Sequence, residues 1–140
     1  MSIQYFKEDV PFPKLKKRKS TNWIKDTIQT EGKRVGDISF IFCSDNYLLE
    51  VNKNYLDHDY FTDIITFDYV EGFLISGDIF ISVDRVLDNS VEFKTTFENE
   101  LNRILIHGVL HLLGYKDKDK KDKLLMTEKE NIYLKLLKDS

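Results

Sequence analysis

The chain has 140 residues, 41% of them hydrophobic, which is enough to bury one ordinary core, and its single cysteine, Cys43, excludes an internal disulfide and fits a reducing compartment. A net charge of -3 excludes a protein that coats nucleic acid by bulk electrostatics. No stretch approaches the ~20 apolar residues of a membrane span and no signal peptide opens the chain, so the expectation is one cytoplasmic domain over residues 1–140 with no membrane partner.

Pro11 and Pro13 punctuate an extended start, and the run Lys14, Lys16, Lys17, Arg18, Lys19 is densely basic. Ser20 or Thr21 is placed to cap a helix that carries Trp23, Ile24 and Ile28 as far as Gly32. Val35 to Cys43 is rich in β-branched and aromatic residues and reads as a strand; Ser44 or Asp45 then caps a helix with Leu48, Leu49 and Val51 on one face. Asp63 to Tyr69 is a second strand, Glu71-Gly72 a turn, and Phe73 to Val83 a third strand interrupted by Gly77, so the last two are expected to pair as a hairpin. Helical spacing of Phe93, Phe97, Leu101, Leu105 and Leu112 predicts a long amphipathic helix over residues 91–113, closed by Gly114. A last helix covers about residues 122–137, with Leu125, Ile132 and Leu136 on one stripe and Thr127 with Glu130 as an internal capping box.

Chemistry concentrates in His107-Gly-Val-Leu-His111-Leu-Leu-Gly114-Tyr-Lys-Asp117. Positions i and i+4 stand one above the other on a helix, so both imidazoles can reach one ion; Gly114 can turn the chain back and bring Asp117 in as third ligand. Two histidines, one carboxylate and an open position describe a catalytic rather than a structural zinc site. Asp119 is the nearest competitor for the third place, and His58 the more distant one. The competing reading, two satisfied core histidines on a Leu-rich helix, has to explain why two of only three histidines fall at ligand spacing. Metzincin proteases share the spacing, but Gly108 stands where their catalytic glutamate would be.

The segment HGVLHLLGY resembles the signature of the YbeY family of metal-dependent endoribonucleases. Further matches are Asn52, Tyr55, Asp59, Thr62-Asp63, Thr66-Phe67, Gly77-Asp78-Ile79, Ile81 and Glu100, a resemblance running from about Asp37 to Leu137. Three positions depart from the pattern: Asp117 replaces a third histidine, Lys116 replaces the acid before it, and Leu56 replaces an arginine. The resemblance implies an α+β domain, a small mixed sheet of about four strands flanked by helices; the sequence itself supports three strands and four or five helices. It also implies hydrolysis of single-stranded RNA, maturation of the small-subunit ribosomal RNA end, ribosome quality control and contacts with ribosomal or small-subunit proteins. No DNA partner is expected.

Spacing alone supports a metal-assisted hydrolase with one Zn2+ per chain, held by His107, His111 and Asp117. Arg103 and His58 are the expected catalytic groups, with Lys53 and Lys116 as further candidates for a charge-stabilising cation. The lysine-rich stretch from Lys116 to Lys123 is expected to join Lys14 to Lys19 in one RNA-binding face, unless both are solvated surface. The rival functions are a non-catalytic ribosome assembly factor that keeps the metal for stability, and a metalloprotease or amidohydrolase.

Overall fold

The structure is a computed structural model that describes residues 2–139; Met1 and Ser140, the ends of the expected domain, lie outside the described residues. The elements run β1 (Ile3–Lys7), α1 (Lys17–Thr30), β2 (Arg34–Cys43), α2 (Asp45–Leu56), β3 (Ile64–Asp68), β4 (Leu74–Ser82), α3 (Val83–Glu92), α4 (Phe97–Leu112) and α5 (Lys120–Asp139). One mixed sheet has the order β1-β2-β4-β3, with β3 antiparallel to β4 and the remaining pairs parallel. This is the expected α+β arrangement, hairpin included.

Successive side chains of a strand point to opposite faces, and that alternation divides the core. Ile38, Phe40 and Phe42 of β2 and Ile75, Ile79 and Ile81 of β4 pack with Trp23, Ile24 and Ile28 of α1, Leu101, Leu105 and Val109 of α4, and Met126 and Tyr133 of α5. The opposite face is smaller. There Cys43 and Ile65 meet Leu48 and Val51 of α2, and burial, reinforced by nearby carboxylates, pushes the Cys43 thiol up to about 12. On β3 the same alternation sends Ile65 towards α2 and leaves Ile64, Thr66 and Asp68 for the opposite face.

Several expected boundaries move. Helix α1 starts at Lys17 with no side-chain cap, because Ser20 is buried inside it and Thr21 bonds the Tyr5 hydroxyl. Strand β1 is not among the expected elements. It gains its place by pairing with β2 through Ile3–Lys7. The expected 91–113 helix is two helices: Lys94 takes a positive φ of 54°, and the Thr96 hydroxyl accepts from the Asn99 N–H to start α4 afresh. The expected stripe on α5 lies outside, with Leu125, Ile132 and Leu136 at 42%, 50% and 44% exposure, while Met126, Glu130, Tyr133 and Leu137 face inward. Nor is there a capping box at Thr127. Helix α5 begins at Lys120, with the Asp119 carboxylate accepting from the Asp122 N–H at 2.8 Å.

Gly77 does not interrupt β4. It lets α4 approach: a β-carbon there would stand 2.6 Å from the Phe67 carbonyl oxygen and 2.8 Å from a Leu112 methyl. Gly108 does the same from the helix side, where a β-carbon would meet two carbons of Ile79 at 3.0 Å and one of Ile64 at 3.1 Å. Gly77→Ala therefore collides with backbone that cannot turn aside, and the expected loss is about 1–3 kcal/mol of stability, measured as a lower urea midpoint at unchanged m-value. An unchanged midpoint would show that the strand and helix have slack.

Candidate metal centre

Helix α4 carries His107 and His111 one turn apart and stops one residue after His111. Gly114, at φ 102°, reverses the chain, and the Tyr115 N–H closes the turn on the Leu110 carbonyl at 3.0 Å. Asp117 is thereby brought back past the helix end. Its Oδ2 lies 3.2 Å from His107 Nε2 and 3.3 Å from His111 Nε2, and the two Nε2 atoms are 3.0 Å apart.

The chemistry of these atoms decides what fits between them. His107 Nδ1–H donates to Glu130 Oε2 at 2.6 Å, which fixes the tautomer and leaves Nε2 as a lone pair; the Tyr115 backbone hydrogen-bonds the His111 ring. With a carboxylate oxygen as the third member, acceptor atoms converge and call for a cation. Tetrahedral zinc bonds of about 2.0–2.1 Å imply ligand separations of about 3.3 Å, close to the triangle observed. Among the described residues, His107, His111 and Asp117 are the group whose donor atoms converge in this way, all within 4.8 Å of one another.

Glu130 has a different place from the capping role expected of it. It is 6% exposed on the inward stripe of α5; its Oε1 accepts from Arg103 Nη1 at 2.8 Å while Oε2 holds His107, and Arg103 Nη2 donates to Asn131 Oδ1 at 2.8 Å. The signal in the sequence is an acid three and four residues from the apolar Tyr133 and Met126, where a capped helix interior needs none. Burial pushes the His107 imidazole down, but the Glu130 hydrogen bond and charge, with Asp117 and Asp63, outweigh it and raise His107 overall. His111 moves the other way, lowered by burial and by the charge of His107 against the pull of Asp117.

A second anchor holds the turn. The hydroxyls of Tyr115 and Tyr133 both donate to Glu31, the first at 2.6 Å, and Lys129 Nζ lies 3.6 Å from the same carboxylate. Burial alone would raise Glu31, yet the two hydroxyls and Lys129 hold it below the usual range. The end of α1, the turn after Gly114 and α5 are thus tied at one carboxylate.

A cleft of about 440 Å³ opens over the three converging groups, walled by Thr62, Asp63, Ile64, Thr66 and Asp68. Asp63 stands out in the sequence only as part of the Thr62-Asp63 match. Burial raises its carboxyl against the opposing charge of His107, and Asn89 Nδ2 donates to its Oδ2 at 3.4 Å. The expected catalytic groups are placed elsewhere: Arg103 is engaged by Glu130 and Asn131, and His58 stacks on Tyr60 and bonds its hydroxyl at 3.2 Å. Lys53 lies 3.7 Å from Glu50 and 3.6 Å from Asp59, and Lys116 is exposed next to Asp117; neither is part of the cleft wall.

In metal-free protein, NMR titration should therefore find His107 changing charge above, and His111 below, the ordinary value of 6.5. A raised folded value means that the His107 interaction stabilises fully below 6.5 and is lost as pH rises through the folded value. Glu130→Gln should bring His107 down; an unmoved titration would show that Glu130 does not govern it.

Comparison with known proteins supplies the lineage. The family model described as Endoribonuclease YbeY matches residues 3–138. Proteins named Endoribonuclease YbeY from Parabacteroides distasonis and Flavobacterium psychrophilum are 53% and 50% identical, covering 98% and 94% of this chain and 96% and 94% of their own. The solution structure of TM1509 from Thermotoga maritima superposes with a TM-score of 0.69 at 28% identity, covering 97% of this chain and 89% of that one. A family model that matches nearly the whole chain and relatives at about 50% identity mean that the chain belongs to the YbeY family.

Proposed function

We propose that the chain is a metal-dependent endoribonuclease that cuts single-stranded RNA during ribosomal RNA processing, at the small-subunit 3′ end, and that serves ribosome quality control in the cytoplasm. The observation that carries the reading is the convergence of His107, His111 and Asp117 beneath an open cleft, in a chain whose relatives over nearly their whole length are named endoribonucleases. Two imidazoles and a carboxylate favour zinc among the divalent metals available. Ribosomal RNA and small-subunit proteins are the proposed partners. No helix among the described residues is long and apolar enough to cross a membrane.

His107, His111 and Asp117 would hold the ion, which when bound supplies Lewis acidity towards a phosphoryl oxygen or a water. Everything else falls to the chain's own groups. Glu130 keeps the His107 lone pair aimed inward, and Arg103 acts through Glu130 as a positioning residue. Asp63, in the cleft wall with a raised carboxyl, is suited to hold a proton taken from water and return it to the leaving oxygen. Thr62 and Thr66 offer hydroxyls for the phosphate. Peptide hydrolysis is disfavoured, because Gly108, which stands where the metzincin glutamate would be, offers no side chain to act as a base.

Metal-replete protein should cleave fluorescent single-stranded RNA, lose the activity to chelator and leave casein intact; cleavage that survives the chelator would sink the reading. Asp117→Ala should lose most bound metal and Asp117→His should retain it. Glu130→Gln should weaken affinity about ten- to a hundredfold. Asp119→Ala should keep the metal and give up about 1 kcal/mol of helix cap. Full metal content in Asp117→Ala would place the third ligand elsewhere.

A further inference from the structure

The two lysine-rich segments do not form one face. Lys116 to Lys123 flank the start of α5, whereas Lys14, Lys16 and Lys19 share a cleft with Lys135 and Lys138 near its other end. A helix of 20 residues separates its ends by about 30 Å. The cleft at the far end measures about 1450 Å³ and runs between the start of α1, the first two turns of α4 and the end of α5.

Its lining has the composition of a track for a nucleic-acid strand. Six cations, the five lysines and Arg103, meet three carboxylates, Glu98, Glu100 and Asp139, in a chain whose overall charge is -3. All five lysines are exposed, and none appears in an ion pair among those found between described residues. The five lysines outnumber the three carboxylates of the lining, and an excess of like charge gathered in one cleft is relieved by an outside polyanion. Phe93, 62% exposed, and Phe97 add aromatic surface to the same wall. Unpaired bases stack on such rings, which a duplex cannot offer.

Position joins this cleft to the metal centre. Arg103 is part of its wall and lies one turn before His107 on α4, and Glu130 bonds both. We infer that this cleft is a second RNA-binding site, which holds the phosphates and stacked bases of the single strand flanking the segment at the metal centre. The inference rests on the endoribonuclease reading and adds to it where the substrate continues.

The test compares single-stranded oligonucleotides of about four and about sixteen nucleotides, the span of known single-strand sites, on metal-loaded protein. Lys14→Glu, Lys19→Glu, Lys135→Glu and Lys138→Glu are combined in one variant; all four side chains are exposed, and metal content and urea midpoint verify that fold and centre survive. The variant should bind the long strand at least tenfold more weakly and leave the short one unchanged. Its salt dependence should also flatten, by about 0.7 in the log–log slope for each phosphate that the protein no longer neutralises. Unchanged binding of the long strand, or equal weakening on both lengths, overturns the cleft while the nuclease reading stands. Wild type that neither binds nor cuts either strand overturns both.

Discussion

Helix α4 lies against the sheet at a distance that only two missing β-carbons allow. Gly108 on the helix and Gly77 on β4 each face atoms that a methyl group would strike, and the histidines sit on the helix between and beyond these contacts. Interiors are packed too tightly to absorb such a collision without a shift of backbone. The spacing between α4 and β3 is therefore fixed, and with it the width of the cleft in which Asp63 and Thr66 face His107 and His111. Register matters as much. A slip of β3 by one residue would turn Thr66 away and bring Ile65 and Phe67 into the polar cleft.

On that fixed surface the polar groups form a chain of single-purpose contacts. Arg103 neutralises Glu130, Glu130 orients His107, and Glu31 holds Tyr115 in the turn that presents Asp117. Arg103 comes from α4, Glu130 from α5 and Glu31 from the cap that ends α1, so the centre depends on tertiary packing and not on the histidine helix alone. Among the described residues no buried side-chain polar atom lacks a partner, which is the condition for such a network to rigidify instead of weaken its surroundings.

The ligand helix, its glycine stop and the β3–β4 hairpin are legible because each is written in a short stretch: two histidines at i and i+4, Gly114 three residues on, and alternation around Glu71-Gly72. What cannot be read locally is set by partners distant in sequence. Strand β1, half polar in composition, is a strand only beside β2. Glu130 looks like a capping acid until α5 is packed, and its apolar neighbours offer two stripes of similar quality, Leu125, Ile132, Leu136 and Met126, Tyr133, Leu137, of which α4 selects the second. Arg103 belongs with the histidine helix, as its spacing suggests; its distance from the cleft follows from the carboxylate across from it.

The order of the chain also sets a timetable. Both histidines and Asp117 precede α5, yet the carboxylate that fixes the His107 tautomer arrives only with residue 130. A domain folds as a unit, so the three ligating side chains are near one another in sequence before the group that aims one of them is brought in by tertiary packing. Until α5 is docked, His107 lacks the hydrogen bond that fixes its tautomer and ring orientation. Completion of the centre is thereby coupled to the docking of α5, so the order of the metal site reports on the packing of a helix that supplies none of its ligands.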